Sequence, residues 1–209
     1  MQFESRKNAA LSQVRSFCEL SNSQVRNLED FVIFLLQENE KFNFIGKSTI
    51  EDIWDRHVLD SAQLLRFIVD KNAKFADFGS GAGLPGIILS ILGLREIHLI
   101  EKAFRKADLL RQSKSFSSNR VFVHQAKLEE LPAMEFDCIV SRALAPFDKL
   151  LLYAKQFLKK DGYCLFLKGK NLQNEIAAAK QNFQFEYELM QSITSPESSI
   201  IKVSNINLC

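Results

Sequence analysis

The feature that most constrains the fold is a glycine-rich loop between an apolar run and a helical pattern. The run Phe75-Ala76-Asp77-Phe78 leads directly into Gly79-Ser80-Gly81-Ala82-Gly83-Leu84-Pro85-Gly86. Glycines permit positive φ and a close approach of a ligand to the backbone, and the free amides of a following helix offer a positively polarised end. Pro85 suits the first turn of that helix, where its missing N–H is not needed. This arrangement predicts a nucleotide-binding loop in an α/β protein.

From position 74 onward, short apolar runs alternate with helical patterns. Five runs predict strands, at 74–78, 96–101, 120–124, 136–141 and 161–167, and helices are predicted between them at 84–93, 103–117 and 147–160. Such alternation is typical of βαβ units around a parallel sheet. A helix at 172–181 precedes two further strands at 183–190 and 198–206, and their short link favours an antiparallel hairpin. We therefore predict an α/β fold with a mostly parallel seven-stranded sheet and an antiparallel C-terminal hairpin.

The first third of the chain is predicted to be helical. Residues 8–70 carry apolar positions at helical spacing, and Ser21 followed by Gln24 resembles a capping box. A chain of 209 residues can bury one substantial core but is too short for two full domains. We expect a helical N-terminal extension over 1–70 and an α/β core over 71–209, joined in one compact unit.

Composition excludes several classes of protein. No stretch after Met1 resembles a signal peptide, and no window reaches the roughly 18 apolar residues that span a bilayer, so we expect a cytoplasmic protein without membrane association. The four cysteines never form a C-x-x-C pair, which argues against a metal site. A net charge of +2 is too small to indicate a nucleic-acid partner. A single domain with a covered sheet favours a monomer.

Of the two acidic residues beside the loop, Asp77 distinguishes between possible cofactors, whereas Glu101 suits either of them. Residues 81–86 satisfy G-x-G-x-x-G, and Glu101 lies where a dinucleotide enzyme places its ribose-binding acid. Asp77, however, precedes the first glycine, where a carboxylate favours an ammonium and a sulfonium and repels a pyrophosphate. We therefore predict S-adenosylmethionine as the cofactor, with Glu101 accepting from its ribose hydroxyls and 125–129 near its adenine. A purely structural turn and a solvated acid at 101 are the alternatives.

Basic residues cluster in two stretches. The helix after Glu101 has only Asp108 opposing its cations, which are Lys102, Arg105, Lys106, Arg111 and Lys114. A second group flanks the fifth predicted strand and consists of Lys159, Lys160, Lys168 and Lys170. These side chains could bind RNA phosphates, although a solvated helix face has the same pattern. We interpret Phe104 and Phe116 as core residues rather than base-stacking platforms.

Together, these residues resemble the small-subunit ribosomal RNA guanine-N7 methyltransferases of the RsmG/GidB family. Besides the glycine loop, four motifs carry the resemblance: Phe42-Asn43-Phe44-Ile45, Arg56-His57-Val58-Leu59-Asp60-Ser61, Phe136-Asp137-Cys138-Ile139-Val140-Ser141-Arg142-Ala143 and Leu167-Lys168-Gly169. The combination of Arg-His-x-x-Asp-Ser, Gly-Leu-Pro-Gly and Ser-Arg-Ala is far more specific than a glycine loop. The chain departs from the family at Lys127, where arginine is frequent, and at Phe44-Ile45, where Leu-Thr is usual.

The resemblance implies a class I, Rossmann-like S-adenosylmethionine-dependent methyltransferase acting on N7 of a guanine in the 530-loop region of 16S rRNA, within the small ribosomal subunit. By this resemblance the cofactor would be bound by Gly79, Leu84, Leu128, Glu129 and Arg142, and the loop and strand ends add Asp77, Ser80, Gly81 and Glu101 to the predicted site. The substrate RNA would be contacted by Asn43, Arg56, His57, Lys102, Arg105 and Lys168. Guanine N7 has a free lone pair and no proton, so the transfer needs orientation rather than a general base or a metal.

Arg142 is the residue expected to position the reaction, because it follows the fourth strand at the edge where α/β sheets bind ligands. It could hold RNA phosphate or the O6 and N7 edge of guanine, or it could form an ion pair with Asp77 or Glu129. His57 and Asp60 could be a hydrogen-bonded pair that closes the pocket, or they could pack the N-terminal helices on the core. No catalytic acid or base is assigned.

Two other classes of function remain as alternatives. A nicotinamide-dependent oxidoreductase would share the glycine pattern but would need a proton-handling Tyr/Lys pair or a His near the sheet edge, and no tyrosine shows such a pairing. A non-catalytic RNA- or assembly-binding protein would tolerate a damaged cofactor loop, whereas Asp77, Gly79, Gly81 and Glu101 are intact. The residues therefore favour the methyltransferase.

Overall fold

The N-terminal part of the chain is helical. The computed structural model describes residues 2–209, beginning with α1 (Gln2–Arg15) and α2 (Asn22–Phe42). The Ser21 hydroxyl accepts from the Gln24 amide at 3.2 Å and the Gln24 side chain accepts from the Ser21 amide at 3.0 Å, so the predicted capping box is confirmed. A π-helical turn at Trp54–Leu59 continues into the single turn α3 (Asp60–Ala62).

The rest of the chain forms a seven-stranded sheet with four more helices. Its strands are β1 (Lys74–Phe78), β2 (Glu96–Ile100), β3 (Arg120–His124), β4 (Phe136–Arg142), β5 (Leu158–Lys168), β6 (Phe183–Gln191) and β7 (Ser199–Leu208). The helices are α4 (Gly86–Ile91), α5 (Phe104–Ser113), α6 (Phe147–Phe157) and α7 (Leu172–Ala179). The strand order is β3-β2-β1-β4-β5-β7-β6, with β7 antiparallel to both neighbours and all other pairs parallel. The predicted sheet and hairpin are confirmed.

The boundary between α6 and β5 differs from the prediction. We expected the helix to continue to 160, but it ends at Phe157 and the strand begins at Leu158. Lys159 donates to Asp137 of the neighbouring strand at 2.7 Å. This cross-strand pair stabilises an extended backbone at a point where the run of polar residues suggested helix.

Helices cover both faces of the sheet. On one face, Phe31 of α2 and Trp54 belong to the same hydrophobic cluster as Phe75 of β1. On the other face, Phe78 of β1 packs edge-on against Phe157 of α6, with ring centroids 5.9 Å apart. Packing on both faces holds the strand ends rigidly, and in such sheets the carboxyl ends of the strands form the ligand-binding edge. Among residues 2–209, no helix combines the length and apolar character needed to cross a membrane.

Candidate functional site

Two adjoining cavities lie at the carboxyl ends of the parallel strands. The first cavity, of about 520 Å³, lies between Gly79, Glu101 and Leu128. The second cavity, of about 530 Å³, lies between Arg142, Lys168 and Thr194. Ala143 lines both of them. A ligand in one cavity can therefore reach a ligand in the other at this point.

The glycine loop forms the floor of the first cavity. Gly79 has φ +71°, and a Cβ there would lie 2.5 Å from Cδ1 of Leu144. The amides of Gly79 and Ser80 both donate to the carbonyl of Ile100 at 3.0 Å, which ties the loop to the end of β2. The loop backbone is therefore fixed in a conformation that only glycine adopts without strain, and it leaves room for a ligand.

The side chains of Asp77, Ser80 and Leu84 are buried and do not line the first cavity. The Asp77 carboxyl is fully buried, and its Oδ2 accepts from the Gly86 amide at 3.0 Å. Its Oδ1 has no hydrogen-bond partner within residues 2–209. Burial raises the pKa of Asp77 to about 7. We expected these three residues to contact the cofactor directly, but none of them lines the first cavity, and the Asp77 carboxyl bonds to the loop backbone instead.

Glu101 does line the first cavity, as expected. One carboxylate oxygen accepts from the Gly81 amide at 3.1 Å and the other from the Ala103 amide at 2.8 Å. Because each carboxylate oxygen offers two lone pairs, Glu101 can still accept from a pair of hydroxyl groups. The backbone bonds fix its orientation for that purpose.

The opposite wall of the first cavity combines apolar surface with one polar pair. Leu128 and Ala126 supply apolar surface, and the Tyr153 hydroxyl of α6 donates to the Glu129 carboxylate. That hydrogen bond lowers the pKa of Glu129. Sequence reasoning nominated Leu128 and Glu129 but missed Tyr153, because nothing in the amphipathic pattern of α6 separates it from a packing residue. This wall fits a flat heteroaromatic ring.

Arg142 lies in the wall of the second cavity, held by the helical layer. Its Nη1 donates to Asp60 Oδ2 at 3.1 Å and to the Arg56 carbonyl at 2.9 Å, and its Nη2 donates to His57 Nδ1 at 3.1 Å. Arg142 forms its ion pair with Asp60, so the alternative of an ion pair with Asp77 or Glu129 is wrong. The side chains of His57 and Asp60 do not bond to each other; both orient Arg142.

His57 is a neutral imidazole with a defined tautomer. Since a guanidinium can only donate, Nδ1 of His57 must accept, and Nε2 must carry the proton. That N–H donates to Thr49 Oγ1 at 2.8 Å, and the Thr49 hydroxyl donates to the Gly46 carbonyl at 2.7 Å. Burial and the nearby Arg142 charge lower the pKa of His57 to about 3.

The loop between β6 and β7 closes the second cavity. Asp60 Oδ1 accepts from the Thr194 hydroxyl at 2.6 Å and from Gln63 Nε2 at 2.9 Å. The fully buried Gln63 accepts from the Ile193 amide at 2.9 Å. Sequence reasoning missed Thr194 and Gln63, because their partners lie more than 120 positions away along the chain.

The expected RNA-binding residues fall into three groups. Arg56, His57 and Lys168 line the second cavity, where Lys168 also pairs with Glu175 at 2.5 Å. Lys102 lines the first cavity. Asn43, the C-cap of α2, and Arg105 line neither cavity. Within residues 2–209, no group of His, Cys, Asp or Glu side chains could hold a metal ion.

Solved structures share this fold. A ribosomal protein L11 methylase from Lactobacillus delbrueckii subsp. bulgaricus superposes with a TM-score of 0.59 at 18% identity, covering 71% of this chain and 78% of that chain. A TehB-like SAM-dependent methyltransferase from Corynebacterium glutamicum has a TM-score of 0.54 at 20% identity, with 69% and 86% covered. At these identities the likeness establishes the fold alone, which is that of S-adenosylmethionine-dependent methyltransferases.

Sequence comparison is more specific. Two proteins named Ribosomal RNA small subunit methyltransferase G are close in length to this chain. The one from Rhodospirillum rubrum is 35% identical over 188 residues, covering 90% of this chain and 94% of the relative. The one from Gluconobacter oxydans is 38% identical over 186 residues, with 89% and 96% covered. The profile of the GidB family, described as rRNA small subunit methyltransferase G, matches residues 24–202, and the chain belongs to that family.

Proposed function

We propose that the protein transfers a methyl group from S-adenosylmethionine to N7 of a guanine in the 530-loop region of 16S rRNA. The observation that carries this proposal is the junction of the two cavities at Ala143, with the fixed cation of Arg142 beside it. One cavity suits a nucleoside cofactor and the other a polar, anionic acceptor. Family membership supports small-subunit rRNA as that acceptor.

The first cavity fits the cofactor. The glycine backbone leaves room against Gly79 and Gly81, Glu101 can accept from ribose hydroxyls, and Leu128 offers apolar surface for adenine. Oδ1 of Asp77 has no hydrogen-bond partner within residues 2–209, so its partial negative charge beneath the loop is not offset by a donor. That charge favours a cationic ligand above the loop. When bound, S-adenosylmethionine supplies an electrophilic methyl group on a positively charged sulfur.

Arg142 holds the acceptor. Three of the five N–H groups of its guanidinium are engaged by Asp60, the Arg56 carbonyl and His57, which leaves two for a substrate. Guanine presents O6 and N7 side by side as acceptors. Donation to O6 orients the base and leaves the N7 lone pair free to attack the methyl group in line. Catalysis then rests on orientation, without a proton transfer.

The rest of the second cavity is also lined by polar groups. Lys168 lies near Ala145 and Glu175, and the loop at 192–198 contributes Thr194. These groups offer donors to an RNA backbone next to the acceptor base. Because one chain supplies both cavities, we propose that the protein acts as a cytoplasmic monomer on the small ribosomal subunit.

The test is incubation with labelled S-adenosylmethionine and small subunits that lack the modification, in parallel with naked 16S rRNA. Cleavage at N7-methylguanine should map the label to the 530 loop. Arg142→Ala should abolish labelling, whereas Arg120→Ala should not, because Arg120 pairs with Glu96 on the far edge of the sheet. Label at another atom or position would reject the acceptor, and failure to bind the cofactor would reject the whole proposal.

A further inference from the structure

Phe104 is an exposed aromatic side chain at the first turn of α5. Its side chain is 67% exposed, the highest value for any phenylalanine within residues 2–209, and it belongs to neither hydrophobic cluster. The prediction that it is a core residue is wrong. Its helix begins four positions after Ile100, the last residue of β2, and the first three residues of the helix are exposed or only partly buried. A ligand that covered this ring would gain the free energy of burying it.

Cations flank Phe104 along the chain. Lys102 and Lys106 line the first cavity, and Arg105 is adjacent to Phe104 in the first turn. Throughout the described part of the chain, none of these three side chains forms an ion pair. The positive charge at this rim is therefore available to an anionic ligand.

A second aromatic side chain fixes one of these cations. The guanidinium carbon of Arg105 lies 4.6 Å from the ring centroid of Phe42, at the end of α2. Phe42 is itself 43% exposed and meets Phe44 edge-on, with centroids 6.1 Å apart. A cation–π contact restricts the guanidinium and leaves its N–H groups able to donate. We call the set Phe42, Lys102, Phe104, Arg105 and Lys106 the Phe104 surface.

We propose that the Phe104 surface binds a single-stranded segment of the substrate RNA, with an unpaired base stacked on Phe104 and phosphates held by the flanking cations. Stacking platforms between cations are the means by which proteins hold single strands. A duplex offers phosphates but no free base face, and a purely apolar protein partner would leave the cations unpaired. This inference rests on the proposed function, because it assigns the strand that Phe104 holds to the rRNA acceptor.

The role of the surface is to anchor the strand that carries the target base. Lys102 and Lys106 lie at the rim of the first cavity, and Arg142 lies beyond the junction at Ala143. A strand stacked on Phe104 would therefore run beside the cofactor while its target base enters the second cavity. Phe104 acts as a binding residue, away from the reacting atoms.

Tryptophan fluorescence provides a direct test. The only native tryptophan, Trp54, is buried, so Phe104→Trp adds one exposed reporter. Titration with a single-stranded oligonucleotide covering the 530 loop should quench the new fluorescence saturably, and the fully paired duplex of the same sequence should not. Equal quenching by the duplex, or none by the single strand, would overturn the inference.

Matched variants separate stacking from charge. Phe104→Ala should weaken binding of the single strand about five- to a hundredfold, and Phe104→Leu, which is apolar without a π-face, should also weaken it. Phe122→Ala is the control, because Phe122 is also exposed, at 42%, but lies on the edge strand β3. This variant should bind RNA normally. Cofactor affinity should be unchanged in all three variants. Wild-type RNA affinity in Phe104→Ala or Phe104→Leu would contradict stacking.

RNA binding by the Phe104 surface and the proposed methylation can each fail without the other. If the rRNA is methylated and Phe104→Ala binds the strand normally, the inference fails and the proposed function stands. If Phe104→Trp is quenched by single strands but no rRNA is methylated, the surface binds RNA and the proposed function fails.

Discussion

Nη2 of Arg142 donates to Nδ1 of His57 over 3.1 Å, and this hydrogen bond fixes the ring proton of His57 on Nε2. The arrangement requires His57 to be neutral, because a protonated imidazole would present N–H to N–H beside a permanent cation. His57 thus positions Arg142 without taking part in a proton transfer. Its protonation would release the guanidinium from one of its contacts.

Acid should destabilise the folded protein through His57. Its pKa is about 3 in the folded state, against roughly 6.5 in an unfolded chain. Between these values the unfolded chain binds a proton that the folded protein does not, so the free energy of unfolding falls as the pH falls. His57→Asn, which keeps an acceptor for Arg142, should reduce the loss of stability between pH 7 and pH 4 in denaturant titrations. If the free energy of unfolding of the variant depended on pH as it does in the wild type, protonation of His57 would not destabilise the fold.

Asp77 should have the opposite effect. Burial raises its pKa to about 7, against roughly 3.9 when unfolded, so the folded protein alone holds the proton between these values. Its contribution to stability is therefore lost as the pH rises from 4 to 7. Relative to wild type, Asp77→Asn should gain stability with increasing pH over this range, while its affinity for S-adenosylmethionine falls at pH 8. A difference in unfolding free energy between Asp77→Asn and the wild type that did not vary with pH would contradict a raised pKa of Asp77.

Gly79→Ala should abolish cofactor binding. The left-handed φ of +71° costs a non-glycine residue roughly 1–2 kcal/mol, and the new Cβ would collide with Leu144. Either the loop shifts into the first cavity or Leu144 is displaced into it. Gly169→Ala is the control, because nothing lies within 4 Å of a Cβ at that position. Calorimetric titration with S-adenosylmethionine should show no binding by the first variant and normal binding by the second.

Arg142→Lys should retain the charge and lose most of the turnover. A single ammonium cannot reproduce the planar fork that reaches His57 and Asp60 together, so the cation is no longer held in place. Misplacement by about 1 Å can lower a rate roughly a hundredfold. We expect a loss of that order in kcat, with little change in KM for the cofactor. Arg120→Lys should leave both constants unchanged, and a comparable loss in that variant would point to a general effect of arginine replacement.

The sheet and the glycine loop were predictable because their signals are local. The sequence from Phe75 to Gly86 changes from a strand pattern to a glycine loop within a dozen positions. The structural role of each residue there follows from its immediate neighbours in the chain. The same holds for the Ser21 and Gln24 capping box. The start of β5 was not predictable, because the pairing of Lys159 with Asp137 depends on which strand lies next to it.

The candidate site was predictable in part for the same reason. Glu101 directly follows β2, Leu128 comes four positions after β3, and both line the first cavity. Asp77 was misplaced, because the direction of its side chain depends on the close packing of Gly86 against β1. The exposure of Phe104 and the partners of Arg142 are tertiary facts, set by where helices end relative to the sheet and by contacts across more than 80 residues.

The hydrogen bonds of Asp60 to Arg142 and Thr194 have a consequence for synthesis. The three residues come from the helical layer, from β4 and from the loop before the final strand, so they are translated at widely separated times. Once α6 has been translated, a growing chain contains every residue that lines the first cavity. The second cavity also needs the loop at 192–198. A nascent chain would thus complete the lining of the first cavity before that of the second, which waits for residues 192–198.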